Sequence, residues 1–165
     1  MARVLIVAGG CRGLGLARAL IDEGHALRIT TRSEAGRAAI EAAGAECWVG
    51  TPDRLATLRG ALDRVAVACW LLGSCAGSEE ELRALHGTRL ELFLTQAIDT
   101  TVRGIVYEAR GTSTPAGVLA EGERIVRAQT ERNQIPAAFL TADPGAREAW
   151  IAQARGAIDA LLAGA

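Results

Sequence analysis

Short apolar runs alternate with segments of helical periodicity along the chain. The runs have the length and turn-rich boundaries of β-strands, which are predicted near 3–8, 26–31, 45–49, 65–72, 103–108 and 136–141. Between them, apolar residues recur every three or four positions and predict helices near 13–23, 34–43, 53–62, 79–99, 117–133 and 145–163. This alternation predicts an α/β fold built on a single doubly wound parallel sheet of about six strands.

The first predicted strand runs directly into a glycine-dense turn, and the first helix follows. Glycines in this order are typical of a dinucleotide site in a Rossmann-like three-layer sandwich. Gly9 can take the tight turn, Gly13 lets the backbone approach a pyrophosphate, and Gly15 lets the helix pack on the strand. The helix N-terminus offers free N–H groups to phosphates. The alternative is a tight strand–helix connection without a ligand.

Composition and charge narrow the function classes. The chain has 165 residues, and we expect one domain, 1–165, with a sizeable core. No apolar run approaches the ~20 residues that span a bilayer, and no signal-peptide cleavage pattern is visible, so we expect a cytoplasmic protein without a membrane partner. The net charge of −1 and the scattered arginines predict no nucleic-acid partner.

Cysteine, histidine and lysine usage limits the chemistry further. The four cysteines have no CxxC spacing, which favours free thiols over disulfides or metal ligands. His25 and His86 lie far apart in the sequence, and we expect no metal site. All 18 basic residues are arginine, so any mechanism that needs a lysine ammonium is excluded.

Ala8–Gly15 resembles the TGxxxGxG motif of the short-chain dehydrogenases/reductases, with Ala8 where threonine is usual. Later segments are similar, in the same order, to the extended and atypical branches of that superfamily. They comprise the second strand with its turn (23–32), a fourth strand ending like "hLAG" (60–73), an "NvxGT…gvkrfVY"-like segment (86–107) and a "KaEaErlv"-like run (120–126). The resemblance covers essentially the whole chain and implies an NAD(P)-binding Rossmann domain.

NADP is the expected cofactor, with NAD as the less favoured alternative. NAD-preferring sites place an acid near the end of the second strand for the ribose 2′-hydroxyl, whereas this chain has Thr31, Arg32 and Ser33. The guanidinium of Arg32 suits a 2′-phosphate, which it can bind through paired hydrogen bonds. Arg12, inside the glycine turn, is expected near the same phosphate. The alternative for Arg32 is a solvated loop cation.

The residues predicted to bind the cofactor come from the ends of several predicted strands. They are Gly9, Gly10, Cys11, Arg12, Gly13, Leu14, Thr31, Arg32, Ser33, Gly50, Thr51, Leu72, Gly73 and Tyr107. Thr51 stands where the family often has an adenine-contacting aspartate, and Asp53 is interpreted as a helix N-cap. Loose segments at 73–78 and 111–117 are expected at the same sheet edge, above a shallow substrate site or beside a dimer groove.

The acid–base residues of the family reaction are absent. That reaction uses a tyrosine, a lysine four residues later that lowers the phenol pKa from about 10, and a serine. The resemblance places Pro115 at the tyrosine position, Leu119 at the lysine position, and Ala109 or Arg110 at the serine position. The catalytic residues therefore stay unknown.

Four polar side chains remain near the expected substrate side: His86, Tyr107, Ser113 and Thr114. Tyr107 is interpreted as packing against the cofactor rather than transferring protons. Ser113 and Thr114 are interpreted as turn residues, with hydrogen bonding to a bound carbonyl as the alternative. His86 is interpreted as a satisfied structural group, with an acid role as the alternative.

Three function hypotheses follow. The first is an NADP(H)-binding protein similar to the short-chain dehydrogenases/reductases but without the Tyr/Lys dyad, acting as a cofactor-binding or redox-sensing member. The second is an oxidoreductase that transfers hydride by simple juxtaposition to a flavin- or quinone-type acceptor. The third is an interaction module without a nucleotide. The apolar faces of helices 79–99 and 117–133 allow a homodimer in each case, or cover the sheet.

Overall fold

The computed structural model describes residues 1–164 as alternating strands and helices. The strands are β1 (Arg3–Ala8), β2 (Ala26–Thr31), β3 (Glu46–Val49), β4 (Val67–Leu71), β5 (Gly104–Glu108) and β6 (Ala137–Leu140). The helices are α1 (Gly10–Asp22), α2 (Arg37–Ala42), α3 (Glu79–Leu85), α4 (Thr88–Ile98), α5 (Ala116–Arg132) and α6 (Arg147–Ala163). The six predicted strands are confirmed.

The strands form one parallel sheet in the order β3-β2-β1-β4-β5-β6. The chain therefore winds outward from β1 in one direction and from β4 in the other, which confirms the doubly wound prediction. In such a sheet the crevice for a ligand opens between β1 and β4, at the carboxyl ends of the strands.

Two apolar cores cover the two faces of the sheet, which confirms the three-layer arrangement. Alternate strand residues point to opposite faces of the sheet. Leu5 and Trp70 therefore belong to the core that also contains residues of α3, α4 and α5. Ile6 and Cys69 pack with Leu16 of α1 and with α6 on the other side. Both cores meet at β1, where 4–7 are fully buried.

The predicted helix at 53–62 is wrong. The segment forms two short 3₁₀ turns, Leu55–Leu58 and Gly60–Leu62. The buried guanidinium of Arg28 on β2 donates to the carbonyls of Ala61 at 2.6 Å and Asp63 at 3.1 Å, so these acceptors are used by a side chain instead of a helix. Sequence periodicity does not report such a long-range partner.

The predicted helix at 79–99 is two helices. Ser78 caps α3 through a reciprocal capping box with Glu81. The chain then breaks at His86 and Gly87, where a Cβ on the glycine would lie 2.5 Å from the carbonyl oxygen of Arg83. The break lets His86 enter the core between α3 and α4.

The apolar residues of α3 and α4 mostly cover the sheet of their own chain. Leu82, Leu85, Leu90, Phe93 and Leu94 are all at most 4 % exposed. Leu92, at 56 %, faces solvent. A homodimer through these helices therefore stays a prediction.

Among residues 1–164, no helix combines the length and the apolar character needed to cross a membrane. The four cysteines are free thiols, as expected.

Candidate functional site

The turn between β1 and α1 has an unusual backbone. Ala8, Gly9 and Gly10 all have positive φ angles, of 65°, 91° and 56°. For Ala8 this left-handed conformation is strained by about 1 kcal/mol, since its Cβ crowds the following carbonyl. Gly13 N donates to the carbonyl of Gly9 at 2.9 Å, so α1 begins within the glycine segment rather than at 13 as predicted. The first turn of α1 carries no acidic residue that would repel an anion.

A cleft of about 480 Å³ lies beside this turn, at the carboxyl ends of β1 to β4. Its lining consists of Ala8, Gly10, Cys11, Leu14, Ile29, Thr30, Thr31, Arg32, Gly36, Ala39, Ile40, Gly50, Pro52, Leu72 and Cys75. Seven of the predicted cofactor residues are brought together there: Gly10, Cys11, Leu14, Thr31, Arg32, Gly50 and Leu72. The lining is mainly apolar.

Several predicted residues lie next to the cleft without lining it. Gly9 and Gly13 contact each other inside the turn, where a Cβ on Gly9 would lie 2.9 Å from Gly13 Cα. Ser33 is exposed at the end of β2, and its carbonyl accepts from Thr31 Oγ1 at 3.2 Å. Thr51 is held in a turn by Thr57, whose hydroxyl accepts from Thr51 N at 2.9 Å.

Arg12 does not join Arg32, contrary to the sequence prediction. Its Nη2 lies 3.7 Å from Oε2 of Glu108 on β5, and its guanidinium carbon lies 5.4 Å from the ring centroid of Trp150 on α6. A buried carboxylate attracts this guanidinium away from the end of β2. The structure therefore places the two arginines in different surroundings.

Tyr107 is also misplaced by the sequence prediction. Its side chain is fully buried beneath α5, where its hydroxyl lies 2.8 Å from Nδ1 of His86 and 3.3 Å from the carbonyl oxygen of Leu119. Burial raises the tyrosine pKa, so the phenol stays protonated near neutrality. The structure does not bring Tyr107 into the cleft.

His86 links this buried tyrosine to the cleft wall. Its Nε2 lies 3.2 Å from the carbonyl oxygen of Leu72, which can only accept, so Nε2 carries the hydrogen and Nδ1 accepts from Tyr107. Burial lowers the pKa of His86 to about 4, and the imidazole is neutral at physiological pH. His86 also lines a separate cavity of about 420 Å³ together with Pro115 and Val118.

Arg32 is already paired at the mouth of the cleft. Its Nη1 lies 2.8 Å from Oδ2 of Asp53, and both side chains are about half exposed. Asp53 is not the helix N-cap that the sequence predicted, because no α-helix follows it. A third cavity, also of about 420 Å³, shares Arg32 and Cys75 with the cleft and is also lined by Asp53 and Arg89.

The loops after β4 and β5 are bound to each other. Thr112 N donates to Ser74 Oγ at 3.0 Å, and Thr114 Oγ1 donates to the carbonyl of Cys75 at 3.2 Å. A Cβ on Gly111 would lie 1.5 Å from the carbonyl oxygen of Gly73, so the two glycine backbones are in direct contact. The segments 73–78 and 111–117 therefore contact each other instead of being loose, and Cys75 of the first segment also lines the cleft.

Glu108 is a buried acid beside the glycine turn that the sequence analysis does not identify. It is 1 % exposed at the end of β5, where its carboxylate accepts from Gly73 N at 2.7 Å and from Trp150 Nε1 at 2.8 Å. Burial raises its pKa, and the nearby Arg12 opposes that shift. Its only sequence signal is an acid at the end of an apolar strand.

Glu23, His25 and Asp159 form a further group that the sequence did not predict, with potential metal-ligating atoms within 4.8 Å of one another. Arg155 already binds the Glu23 carboxylate. Glu23 is therefore already engaged in an ion pair, and the group lies at the opposite end of α1 from the glycine turn.

Comparison with known proteins identifies solved structures of similar fold, whereas no family model and no curated protein sequence matches the chain. One match is a short-chain dehydrogenase/reductase superfamily protein from Agrobacterium tumefaciens with bound NAD (TM-score 0.68, 17 % identity, 83 % of this chain and 48 % of that one). Another is UDP-glucuronic acid 4-epimerase from Bacillus cereus in complex with NAD (0.64, 10 %, 83 % and 54 %). A third is vestitone reductase from alfalfa, Medicago sativa (0.63, 14 %, 84 % and 56 %).

The chain spans about half the length of these solved structures. At such identities the likeness concerns the fold. The fold expected from the glycine turn and the strand–helix alternation is confirmed: the chain has a Rossmann-like α/β fold, similar to that of these solved structures.

Proposed function

We propose that the chain binds a nicotinamide dinucleotide, NADP(H) in preference to NAD(H), without the acid–base chemistry of a dehydrogenase. The observation that carries this proposal is the cleft at the carboxyl ends of β1 to β4, with the glycine turn at one side and Arg32 at its mouth. Its volume of about 480 Å³ is within the range of small-molecule sites, ~300–1,000 Å³.

The pyrophosphate is assigned to the N-terminus of α1. The first N–H groups of a helix have no partner within it, and the positive end of the dipole favours an anion. The small residues Ala8, Gly10 and Cys11 line the cleft at this point and let a phosphate approach the backbone. The NAD seen in the Agrobacterium and Bacillus structures of the same fold supports this class of ligand.

The adenosine is assigned to the part of the cleft bounded by β2, α2 and the loop after β3. Ile29, Ala39 and Ile40 give this part apolar walls for a base, and Gly50 leaves room beside them. Arg32 stands where the ribose 2′ position falls in this fold, and its guanidinium matches a phosphate there. These features support NADP(H) over NAD(H).

The replacement of the family's tyrosine and lysine supports a binding role. Pro115 caps α5 and Leu119 is buried, at the positions where the family has its tyrosine and lysine. The sequence contains no lysine, and Tyr107 is buried with a raised pKa. We therefore propose a cofactor-binding role. A redox-sensing role needs, in addition, contact between the protein and the nicotinamide ring.

The second candidate is an oxidoreductase that holds cofactor and acceptor side by side. The cavity beside His86, Pro115 and Val118 gives an acceptor a location. Oxidation of NADPH in the presence of a flavin or a quinone, followed by absorbance, would separate an enzyme from a binding protein.

Calorimetric titration with NADPH and with NADH tests the proposal. Arg32→Ala should weaken NADPH binding about tenfold or more, since a hydrogen bond to a charged group contributes about 1.5–3 kcal/mol, and should leave NADH binding unchanged. Arg18→Ala, which removes an exposed arginine of α1 outside the cleft lining, is the matched control. Binding of neither nucleotide by the unaltered protein would overturn the proposal.

A further inference from the structure

Asp53 is held in a fixed position beside the mouth of the cleft. The segment after β3 folds back on itself: Arg54 N donates to the carbonyl of Thr51 at 3.0 Å, and Asp53 N donates to Thr51 Oγ1 at 3.2 Å. Thr57 Oγ1 lies 2.6 Å from the carbonyl oxygen of Arg54 and bonds Thr51 as well. This turn sets the direction of the Asp53 carboxylate before any ligand arrives.

A second contact holds the same turn from α4. Arg89, on α4, is half-buried and donates from Nη1 to the backbone carbonyl of Asp53 and, at 3.4 Å, to that of Pro52. The guanidinium of Arg89 thus binds backbone carbonyls, and the Asp53 carboxylate pairs with Arg32, with 2.8 Å between Oδ2 of Asp53 and Nη1 of Arg32. Arg32 is the member of this pair that lines the cleft.

We infer that Asp53 determines how strongly the cleft prefers a 2′-phosphorylated nucleotide, because its carboxylate competes with the ligand's phosphate for Arg32. This inference rests on the proposed function. A ligand with a free 2′-hydroxyl leaves the ion pair between Arg32 and Asp53 intact. A ligand with a 2′-phosphate must share Arg32 with the carboxylate or displace it, and it places a second negative group beside Asp53.

Because both side chains of the Arg32–Asp53 pair are about half exposed, a ligand phosphate can compete with Asp53 for Arg32. An ion pair between exposed side chains contributes up to about 1 kcal/mol, whereas a phosphate can form paired, charge-assisted hydrogen bonds with a guanidinium. Asp53 therefore lowers the preference for NADP(H) without abolishing it. Removing its charge should tighten NADP(H) binding about fivefold, which corresponds to that 1 kcal/mol, and leave NAD(H) binding unchanged.

The test is a set of calorimetric titrations with NADP⁺ and NAD⁺ on the full chain. Asp53→Asn keeps the size of the side chain and removes its charge, and should raise the ratio of the two affinities about fivefold. Glu34→Gln is the matched control, because Glu34 is an exposed acid two positions after Arg32 that pairs with Arg37 at 2.6 Å instead. It removes the same charge and should leave the ratio unchanged within about twofold.

A double variant separates competition from simple charge repulsion. When Arg32 is already alanine, Asp53→Asn should change the affinity ratio by less than about twofold, since nothing is left to compete for. The inference would be overturned if Asp53→Asn alone left the ratio of NADP⁺ to NAD⁺ affinity unchanged or lowered it. It would also be overturned if Asp53→Asn raised this ratio equally with and without Arg32. In both cases, NADP⁺ binding by the unaltered protein would still support the proposed function. Failure of the unaltered protein to bind either nucleotide would overturn both.

Discussion

The two halves of the carboxyl edge of the sheet differ in what their loops do. The loops after β1, β2 and β3 line a mainly apolar cleft together with Leu72 and Cys75 after β4, and the pair of Arg32 and Asp53 lies at its mouth. At β4, β5 and β6 they hold one another: Ser74 accepts from Thr112, Gly73 contacts Gly111, and Arg110 lies 4.0 Å from Asp143. The same edge of one sheet thus has an open half and a closed half.

A dehydrogenase must both bind its dinucleotide and transfer hydride, and the two halves of this sheet edge differ in how well they suit these two tasks. Binding the adenosine and pyrophosphate parts of a dinucleotide needs the glycine turn and a pocket beside β2, and the open half supplies both. Hydride transfer needs room for the nicotinamide ring and an acceptor over β4 and β5, together with a group of suitable pKa. In the closed half the loops after β4 and β5 contact each other, and the family's tyrosine and lysine positions hold Pro115 and Leu119, which is why we propose binding rather than catalysis.

The largest effect is expected where the closed half is tightest. Gly111→Ala places a methyl group on the backbone of Gly73 and should lower the free energy of unfolding by about 3 kcal/mol. Gly117→Ala is the control: its Cβ would meet no atom within 4 Å, and alanine stabilises a helix by up to about 1 kcal/mol over glycine. Urea denaturation of both variants measures the difference. Equal stability would show that the loops are not closed in solution.

The second effect is a pH dependence at His86, which connects Leu72 in the cleft wall with the buried hydroxyl of Tyr107. The pKa of this histidine is about 4 in the folded chain and about 6.5 in the unfolded chain. Between these values the unfolded chain binds the additional proton, so stability should fall as the pH drops from about 6.5 to 4, by up to about 3 kcal/mol.

Denaturation at pH 7 and pH 4.5 checks this, with His86→Asn as the non-titrating reference. The variant should lose less stability than the unaltered chain over this interval, whatever its stability at pH 7. An identical loss in both chains would contradict the burial of a neutral imidazole at this position.

A smaller effect is expected from the hydrogen bond between the two loops of the closed half. Ser74→Ala removes the acceptor of Thr112 N and should cost about 1 kcal/mol of stability, without strengthening or weakening NADPH binding. Ser113→Ala, at an exposed position of the same loop, should change stability by less than about 0.5 kcal/mol. A marked gain in NADPH affinity in Ser74→Ala would mean that the closed half also takes part in binding.

The smallest effect concerns the oxidation state of the cofactor. If the open half carries recognition, NADP⁺ and NADPH should bind with affinities that differ by less than about twofold, because they differ only in the nicotinamide ring. Adenosine 2′,5′-bisphosphate, which has no nicotinamide, should bind to the same site in competition with NADPH. A difference of tenfold between the oxidised and reduced forms would favour a redox-sensing role instead.

The open half could be predicted largely from the sequence, and the closed half could not. The glycine turn, Arg32 and Gly50 follow strands that local apolar patterns identify, and the strand order brings the ends of these strands together. The contact between Gly73 and Gly111 joins residues far apart in the chain. No local sequence pattern indicates a contact between residues so far apart, so the sequence predicts the segments 73–78 and 111–117 as loose.

The errors at single residues have the same origin. The sequence predicts Arg12 near a phosphate because it lies in the turn, but in the structure its guanidinium lies beside Glu108, which is distant in sequence. Tyr107 lies at the end of β5, a place that predicts a cofactor contact. Alternation along the strand sends it instead to the face covered by α5, and Glu108 to the face of α6.

The contact of Glu108 with Arg12 and Trp150 also bears on the order in which the protein folds. Trp150 and its neighbour Ile151 lie far from the glycine turn in the sequence, yet a Cβ on Gly15 would lie 2.9 Å from the Ile151 side chain. Leu16 and the rest of that face of α1 are covered by α6. Contacts between such distant parts of a chain are slow to form, so we expect the glycine turn to reach its final packing late in folding, when α6 docks on α1.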